Sequence, residues 1–195
     1  MLSTEQKQSL TETAARYYEA LNAETASYLK SRGITKEVAA TFLLGTVKNP
    51  APGHEHAEGC LSIPYLTKSG VVGIKFRKID GGQPKYIWPT GQKIGMFNVK
   101  DLIIDTETIC ICEGEIDTIT LSGLCNIPAV GVAGVTQWKE HFPIMFEGYK
   151  RVFVFADNDV KEDLHSAVVV NLPENKDVND MYMLHGADWF KEKIQ

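Results

Sequence analysis

The stretch TICICEGEID at residues 108–117 decides the fold class, because an apolar segment leads directly into acidic residues. Its run of Ile and Cys is typical of a strand that is buried on both faces of a sheet. A second such segment, RVFVFADND, lies at 151–159, and a third, AVVVNL, lies at 167–172. Segments with helical periodicity at 116–125 and 138–146 separate the first two. This order predicts an α/β domain with a mostly parallel sheet.

Acidic residues follow each of these predicted strands. Glu113 comes directly after the first strand and Asp117 one helical turn later, Asp157 and Asp159 follow the second, and Asp177 follows the last. Ligands of such sheets bind beyond the carboxyl ends of the strands, where we expect these side chains to meet. Three carboxylates about 5 Å apart would each repel by about 3 kcal/mol at an effective dielectric constant of 20, so a cation is needed. Hard oxygen ligands favour Mg²⁺ or Mn²⁺ over zinc and suit phosphoryl or nucleotidyl transfer.

The first half of the chain has a different pattern. Helix-capping residues at Ser3, Asn22 and Thr35 predict three helices within residues 1–47. From Cys60 the apolar period changes from that of a helix to that of a strand, which predicts a small β-rich unit over 48–104. Residues 105–195 form the α/β domain.

Charge is distributed unevenly along the sequence. Residues 66–100 carry seven Lys or Arg against one acidic residue, whereas residues 101–195 carry seven against seventeen. A basic middle before an acidic C-terminal half predicts one surface for phosphates and another for metal.

Four short motifs of the C-terminal half together resemble the TOPRIM domain: EGEID at 113–117, VGVAG at 130–134, FADND at 155–159 and KDVN at 176–179. This Rossmann-like domain is shared by DnaG-type primases, phage primase–helicases, type IA and II topoisomerases and OLD-family proteins. The resemblance implies that Glu113 is the general acid/base. It implies that Asp157 and Asp159 hold the metal, and that Asp117 and Asp177 complete the acidic pocket.

The basic middle resembles the N-terminal subdomain of the bacterial and phage primase core, through residues 59–65, 70–77 and 84–86, with 28–34 as its lead-in. The resemblance implies that Arg77 and Lys85 contact nucleotide phosphates and template, with Lys75 and Lys93 as further phosphate contacts. Three aromatic residues are candidates either for stacking on bases or for packing the small β core: Tyr86, Trp88 and Phe97.

The function that this resemblance implies is RNA primer synthesis on single-stranded DNA with NTPs and Mg²⁺ or Mn²⁺, in the replication of a phage. Two alternatives remain, a metal-dependent TOPRIM nuclease and a non-catalytic subunit that binds nucleic acid or a partner. The sequence contains no CxxC zinc ribbon, and residues 160–166 are too few for a crossover helix. We therefore expect a trimmed or split primase completed by a separate polypeptide, a helical subdomain or a helicase. We also expect residues 167–172 to form an interior strand with an uncovered apolar face.

The sequence also indicates a cytoplasmic protein, the host cytoplasm if it is phage-encoded. No apolar run approaches the ~18 residues of a membrane span, and the N-terminus lacks the pattern of a signal peptide. The cysteines show no CxxC spacing and are expected to be reduced and buried. His54, His56 and Cys60 share one region, but three potential ligands in a loop do not make a closed zinc site.

Overall fold

The computed structural model describes residues 2–92, 95–132, 138–155 and 167–194. The chain divides into two compact units, Met1–Ile94 and Gly95–Gln195. No helix of the described residues is long and apolar enough to cross a bilayer.

Three helices open the first unit: α1 (Thr4–Glu19), α2 (Ala23–Ser31) and α3 (Lys36–Thr41). Each begins at the capping residue that the sequence predicts. The Ser3 hydroxyl accepts from the backbone N–H of Gln6, and the Gln6 side chain accepts from that of Ser3. Because these bonds satisfy N–H groups that lack partners within the helix, the chain enters α1 at a defined residue.

The first unit contains an antiparallel sheet of β1 (Gly45–Thr46), β2 (Leu61–Thr67), β3 (Gly70–Arg77) and β4 (Tyr86–Ile87), in that order. A short 3₁₀ turn at Glu55–Ala57 precedes β2. α1 packs on this sheet through Ala14 and Tyr17, which share one core with residues of β3. The helical segment that we placed at 1–47 thus joins the β-rich segment in one unit, because α1 buries its apolar side against the sheet.

The second unit contains the predicted parallel sheet. Its strands are β5 (Thr108–Cys112), β6 (Ala129–Gly131), β7 (Arg151–Phe155) and β8 (Ala167–Val169), in the order β6-β5-β7-β8. All three pairings are parallel. Side chains from alternate positions of β5 and β7 enter two separate apolar clusters, so the sheet has a core on each face. The fold class predicted from the sequence is confirmed.

Of the two helical segments predicted in the second unit, the one at 116–125 forms and the one at 138–146 does not. α4 (Glu115–Ile119) continues into a π-helical turn at Thr120–Leu124, and α5 (Val178–His185) and α6 (Ala187–Lys193) are split at Gly186. The helix expected over 138–146 was wrong, since only a 3₁₀ turn forms there, at Pro143–Phe146. The proline ring lacks an N–H and clashes with the carbonyl four residues earlier, which prevents a continuous helix.

The strand expected over 167–172 is shorter than predicted. β8 ends at Val169 and pairs with β7, so it is an edge strand of the described sheet rather than an interior one. Val168 is 43% exposed, whereas Ala167 and Val169 pack on one of the two cores. The short connection at 160–166, from which we expected an uncovered face, lies outside the described residues.

The segment before β5 covers the outer edge of β6. Phe97 pairs with Gly131 through two backbone hydrogen bonds of 2.8 and 3.0 Å. The Asn98 side chain donates to the carbonyl oxygen of Ala129, and the Asp101 carboxylate accepts from its N–H. These bonds place the residues from Gly95 onward with the parallel sheet, ten residues before the boundary that the sequence suggested at 104.

Candidate functional site

Three of the predicted acidic residues of the second unit lie near the carboxyl ends of its strands. Glu113 follows β5 and is exposed, Asp117 lies in α4, and Asp177 precedes α5. All three line one open cavity of ≈ 570 Å³, which the loop after β8 also borders. The parallel register explains this placement, because β5 and β7 end level with one another at Cys112 and Phe155.

Asp117 is held in place by the start of α5. Its Oδ1 accepts from the backbone N–H of Asn179 at 3.0 Å, and the Asn179 side chain donates to the Thr120 hydroxyl at 2.9 Å. Asn179 and Thr120 are both fully buried. Sequence reasoning assigned no role to either residue, although Asn179 ends the KDVN motif, because their contacts join segments that are distant in the chain.

Asp177 has a structural role of its own at the cavity. It is the N-cap of α5, and its Oδ1 accepts from the backbone N–H of Asp180 at 2.7 Å. Asp180 lines the same cavity and was not among the predicted residues. Asp180 follows Asp177 by three residues, which is the spacing between an N-cap and the N–H group that it binds. This spacing could have placed Asp180 beside Asp177 from the sequence.

Asp157 and Asp159, the predicted principal metal ligands, lie outside the described residues. The strand that leads to them, β7, ends beside β5. Within the described part of the chain, no three His, Cys, Asp or Glu side chains by themselves form a metal-binding group. The acidic residues that line the cavity offer carboxylate oxygens, and such hard oxygen ligands fit Mg²⁺ or Mn²⁺.

The turn between Glu113 and Asp117 packs against β6 at a glycine. A Cβ atom on Gly131 would lie 2.6 Å from the Thr118 hydroxyl, which itself donates to the carbonyl oxygen of Gly114. Only glycine therefore lets α4 come this close to β6. Ala133 and Gly134, the last two residues of the VGVAG motif, lie outside the described residues.

The first unit holds two cations among aromatic rings. Lys75 and Arg77 project from one face of β3, and each is only 5% exposed. The Lys75 ammonium lies 4.2 Å from the ring centre of Tyr86 and 5.2 Å from that of Trp88. The Arg77 guanidinium carbon lies 4.9 Å from the ring centre of Tyr86 and 5.3 Å from that of Tyr28, and Arg77 also donates to the Tyr86 hydroxyl. We call Tyr28, Lys75, Arg77, Tyr86 and Trp88 the aromatic–basic cluster.

The other predicted phosphate and base contacts differ in position. The Lys85 ammonium lies 5.9 Å from the ring centre of Tyr86, at the margin of the cluster. Lys93 lies outside the described residues. Phe97 belongs to the second unit and is 1% exposed, so its ring packs in a core and is not available to stack on a base.

The His54 region is part of the first unit's core. The His54 Nδ1 lies 3.0 Å from the Tyr17 hydroxyl, which accepts from the backbone N–H of Ala51. The His54 ring packs edge-on against Phe76, and Cys60 is buried in the adjoining cluster. These contacts place both residues in the packing of the first unit.

The sequence of this chain was compared with those of known proteins. The gene 57 protein of Mycobacterium phage D29 is 39% identical over 150 residues, which cover 70% of this chain and 98% of that protein. No protein-family model matches the sequence.

Among solved structures, the zinc-binding and RNA polymerase domains of the Aquifex aeolicus primase align with 98% of this chain, at a TM-score of 0.79 and 20% identity. This chain spans 61% of that Aquifex chain. The RNA polymerase domain of Mycobacterium tuberculosis primase DnaG aligns with 100% of this chain at 0.77 and 18% identity, over 84% of its own length. A DnaG catalytic domain bound to single-stranded DNA aligns with 98% at 0.76 and 16% identity, over 79% of its own length. The chain belongs to the family of the mycobacteriophage gene 57 protein, and its fold is that of the DnaG-type primase catalytic core.

Proposed function

We propose that the protein is a primase-type nucleotidyl transferase that synthesises RNA primers on single-stranded DNA during phage replication in the host cytoplasm. The observation that carries this proposal is the acidic cavity at the strand ends of a DnaG-like core, lined by Glu113, Asp117 and Asp177. In the proposed reaction, a primer 3′-hydroxyl attacks the α-phosphate of an NTP. A new phosphodiester bond forms, and pyrophosphate leaves.

Glu113 is proposed as the general acid/base because it is the exposed carboxylate directly after β5. An exposed carboxylate at this position can take the proton of an attacking hydroxyl without first breaking a buried contact. Asp157 and Asp159 are the proposed principal ligands of Mg²⁺ or Mn²⁺, with Asp117 and Asp177 completing the set. When bound, the metal neutralises charge on the phosphate oxygens.

The aromatic–basic cluster, together with Lys85 and Lys93, is the proposed site for nucleotide or template phosphates. Support comes from the +6 charge of residues 66–100, in which all four cations lie. Cations among aromatic rings also suit single-stranded nucleic acid, because backbone and bases are then contacted together. A single-stranded DNA partner is further supported by the DnaG catalytic domain that was solved with such a ligand.

A separate polypeptide, a helical subdomain or a helicase, is proposed to complete the polymerase. DnaG catalytic cores that align with 96–100% of this chain are matched over only 77–84% of their own length. Four of the exposed large apolar side chains of the second unit offer a surface for it: Ile103, Ile104, Ile144 and Met145. The Tyr149 hydroxyl donates to the Leu102 carbonyl oxygen at 3.0 Å, which brings the two segments that carry them together.

The experiment that tests the function is incorporation of labelled ribonucleotides on single-stranded DNA with Mg²⁺ or Mn²⁺. Primer synthesis that is lost in Asp157→Asn would support the proposal. Metal-dependent shortening of labelled single-stranded DNA, with no incorporation, would instead identify a nuclease. If neither activity appears but DNA still binds, the protein is a non-catalytic subunit.

A search for this separate polypeptide uses the same assay. Activity that appears only after addition of a second replication polypeptide, and that falls when Ile144→Asp is introduced, would support completion from outside. Efficient synthesis by the 195-residue protein alone would exclude that requirement.

A further inference from the structure

Tyr28 of α2 is a member of the aromatic–basic cluster to which the sequence assigned no role. Its ring centre lies 5.3 Å from the Arg77 guanidinium carbon, in addition to the contact that Arg77 makes with Tyr86. The Arg77 guanidinium is therefore in contact with two phenol rings from different elements, α2 and β4. Such contacts fix a guanidinium in one orientation before any ligand arrives.

Two hydrogen-bonding atoms in this part of the cluster are buried without a partner. Within the described residues, neither the Tyr28 hydroxyl nor the Arg77 Nε has a hydrogen-bond partner. Arg77 is 95% buried, since only 5% of it is exposed. Buried polar groups in native proteins are nearly always paired, so two orphaned groups on two touching side chains indicate a missing ligand.

The chemistry of the two groups limits what that ligand is. Arg77 is a cation and its Nε–H is a donor only, and the phenol O–H can donate beside it. An acceptor that carries negative charge satisfies both, because hydrogen bonds from a guanidinium to an anion are the stronger kind. The second cation on the same face of β3, Lys75, adds to the attraction for an anion with several charges.

We propose that Tyr28 is a phosphate-binding residue of the cluster, whose hydroxyl and the Arg77 Nε–H donate together to one phosphate group of a nucleotide or nucleic acid. This inference rests on the proposed function, which brings phosphates to the cluster, and it adds the residue that orients Arg77. The phosphate has two sources, the triphosphate of an NTP and the backbone of the template.

The test compares Tyr28→Phe, which keeps the ring and removes only the hydroxyl, with Tyr18→Phe as the matched control on α1. Arg77→Ala is the third variant. Dissociation constants are measured by calorimetry for inorganic tripolyphosphate, ATP and an oligodeoxythymidylate, and unfolding temperatures are measured without ligand. We expect Tyr28→Phe to weaken binding of tripolyphosphate and ATP, or of the oligonucleotide, by about tenfold. The probe whose binding is weakened identifies the source of the phosphate: tripolyphosphate and ATP indicate an NTP, and the oligonucleotide indicates the template.

The ligand-free unfolding temperature is the readout that separates binding from a structural role. Because the Tyr28 hydroxyl has no partner within the described residues, its removal is expected to leave that temperature unchanged or raise it. A lower temperature would reveal a structural partner and overturn the inference. Weaker binding of ATP alone, with tripolyphosphate and the oligonucleotide unaffected, would place the hydroxyl on the base or ribose and overturn it as well.

The failure of the inference and that of the proposed phosphate site are distinguishable. If Tyr28→Phe binds every probe like the wild type while Arg77→Ala loses binding, the Tyr28 inference is wrong and the phosphate site stands. If Arg77→Ala also binds like the wild type, the proposed role of the cluster is wrong.

Discussion

The carboxylate of Asp117 accepts a hydrogen bond from the backbone N–H of Asn179 at 3.0 Å, although the two residues lie 62 positions apart in the chain. This contact joins the turn after β5 to the helix after β8. Through it, Asp117, which follows β5, is held in position by Asn179, which follows β8. The cavity is therefore a product of the tertiary fold rather than of any one motif.

The Asn179 side chain is expected to contribute strongly to stability. It is fully buried and donates to the Thr120 hydroxyl, so Asn179→Ala removes a buried hydrogen bond and leaves a void. We expect the free energy of unfolding to fall by about 1–3 kcal/mol in urea titrations. The exposed Asn171 provides the control, for which Asn171→Ala should change stability by less than about 0.5 kcal/mol. Equal stability of both variants would contradict this account.

A close backbone contact is expected to make Gly45 intolerant of any side chain. A Cβ atom at this position would lie 2.1 Å from the carbonyl oxygen of Tyr17, so β1 can pack on α1 only with glycine there. Gly45→Ala should destabilise the protein by about 3 kcal/mol or more, because rigid backbone must move. In contrast, Gly148→Ala has open space and should be nearly neutral. Thermal unfolding of the two variants checks the difference, and a similar midpoint for both would refute it.

Local rules account for what the sequence predicted well. The caps at Ser3, Asn22 and Thr35 act within one helical turn, and the apolar runs of β5 and β7 report burial on both faces directly. The placement of Glu113, Asp117 and Asp177 at one cavity followed from a rule about strand ends in parallel sheets.

The features that the sequence did not predict depend on contacts between distant segments. Pro143 prevented a helix that apolar spacing favoured, and β8 ended early as an edge strand. Asn179 and Tyr28 take their roles from Asp117 and Arg77, which lie far away in sequence. Both residues lie in segments that the sequence analysis matched, but no local pattern predicts the tertiary contacts that give them their roles.

The cysteines are expected to be unreactive in the folded protein. All four are free and buried, and burial raises the pKa of Cys125 to about 12 and that of Cys110 and Cys112 well above 9.0. Because the thiolate is the reactive form, a disulfide reagent at mildly alkaline pH should label the native protein only slowly. In guanidinium chloride all four should react at once. Rapid labelling of Cys110 or Cys125 in the native state would contradict the packing of this core.

Stability of the first unit is expected to fall as pH drops below the ordinary pKa of histidine, 6.5, because burial lowers the pKa of His54. Below that value the unfolded chain binds a proton that the folded protein resists, so acid favours unfolding, and above it His54 contributes no pH dependence. Urea titrations between about pH 7.5 and about pH 5.5 should show this loss in the wild type. The loss should be smaller in His54→Asn and retained in the control His185→Asn, since His185 is exposed and lies in the other unit. An equal loss in both variants would exclude His54 as its source.

Two substitutions at Asp177 are expected to distinguish its structural role as a helix cap from a role in metal binding. Its Oδ1 caps α5 by accepting from the backbone N–H of Asp180, and an asparagine keeps an oxygen that can do the same. Asp177→Asn is therefore expected to unfold like the wild type, whereas Asp177→Ala should lose about 1 kcal/mol with the cap.

The metal dependence should follow the charge instead of the cap. If Asp177 helps to hold Mg²⁺ or Mn²⁺, both substitutions remove a carboxylate from the cavity, and both should need more metal for half-maximal ribonucleotide incorporation. Asp188→Asn, at an exposed acid of α6, controls for a general loss of negative charge and should leave the metal requirement unchanged. If Asp177→Asn has the metal requirement of the wild type while Asp177→Ala is merely less stable, Asp177 is a helix cap and does not belong to the metal site.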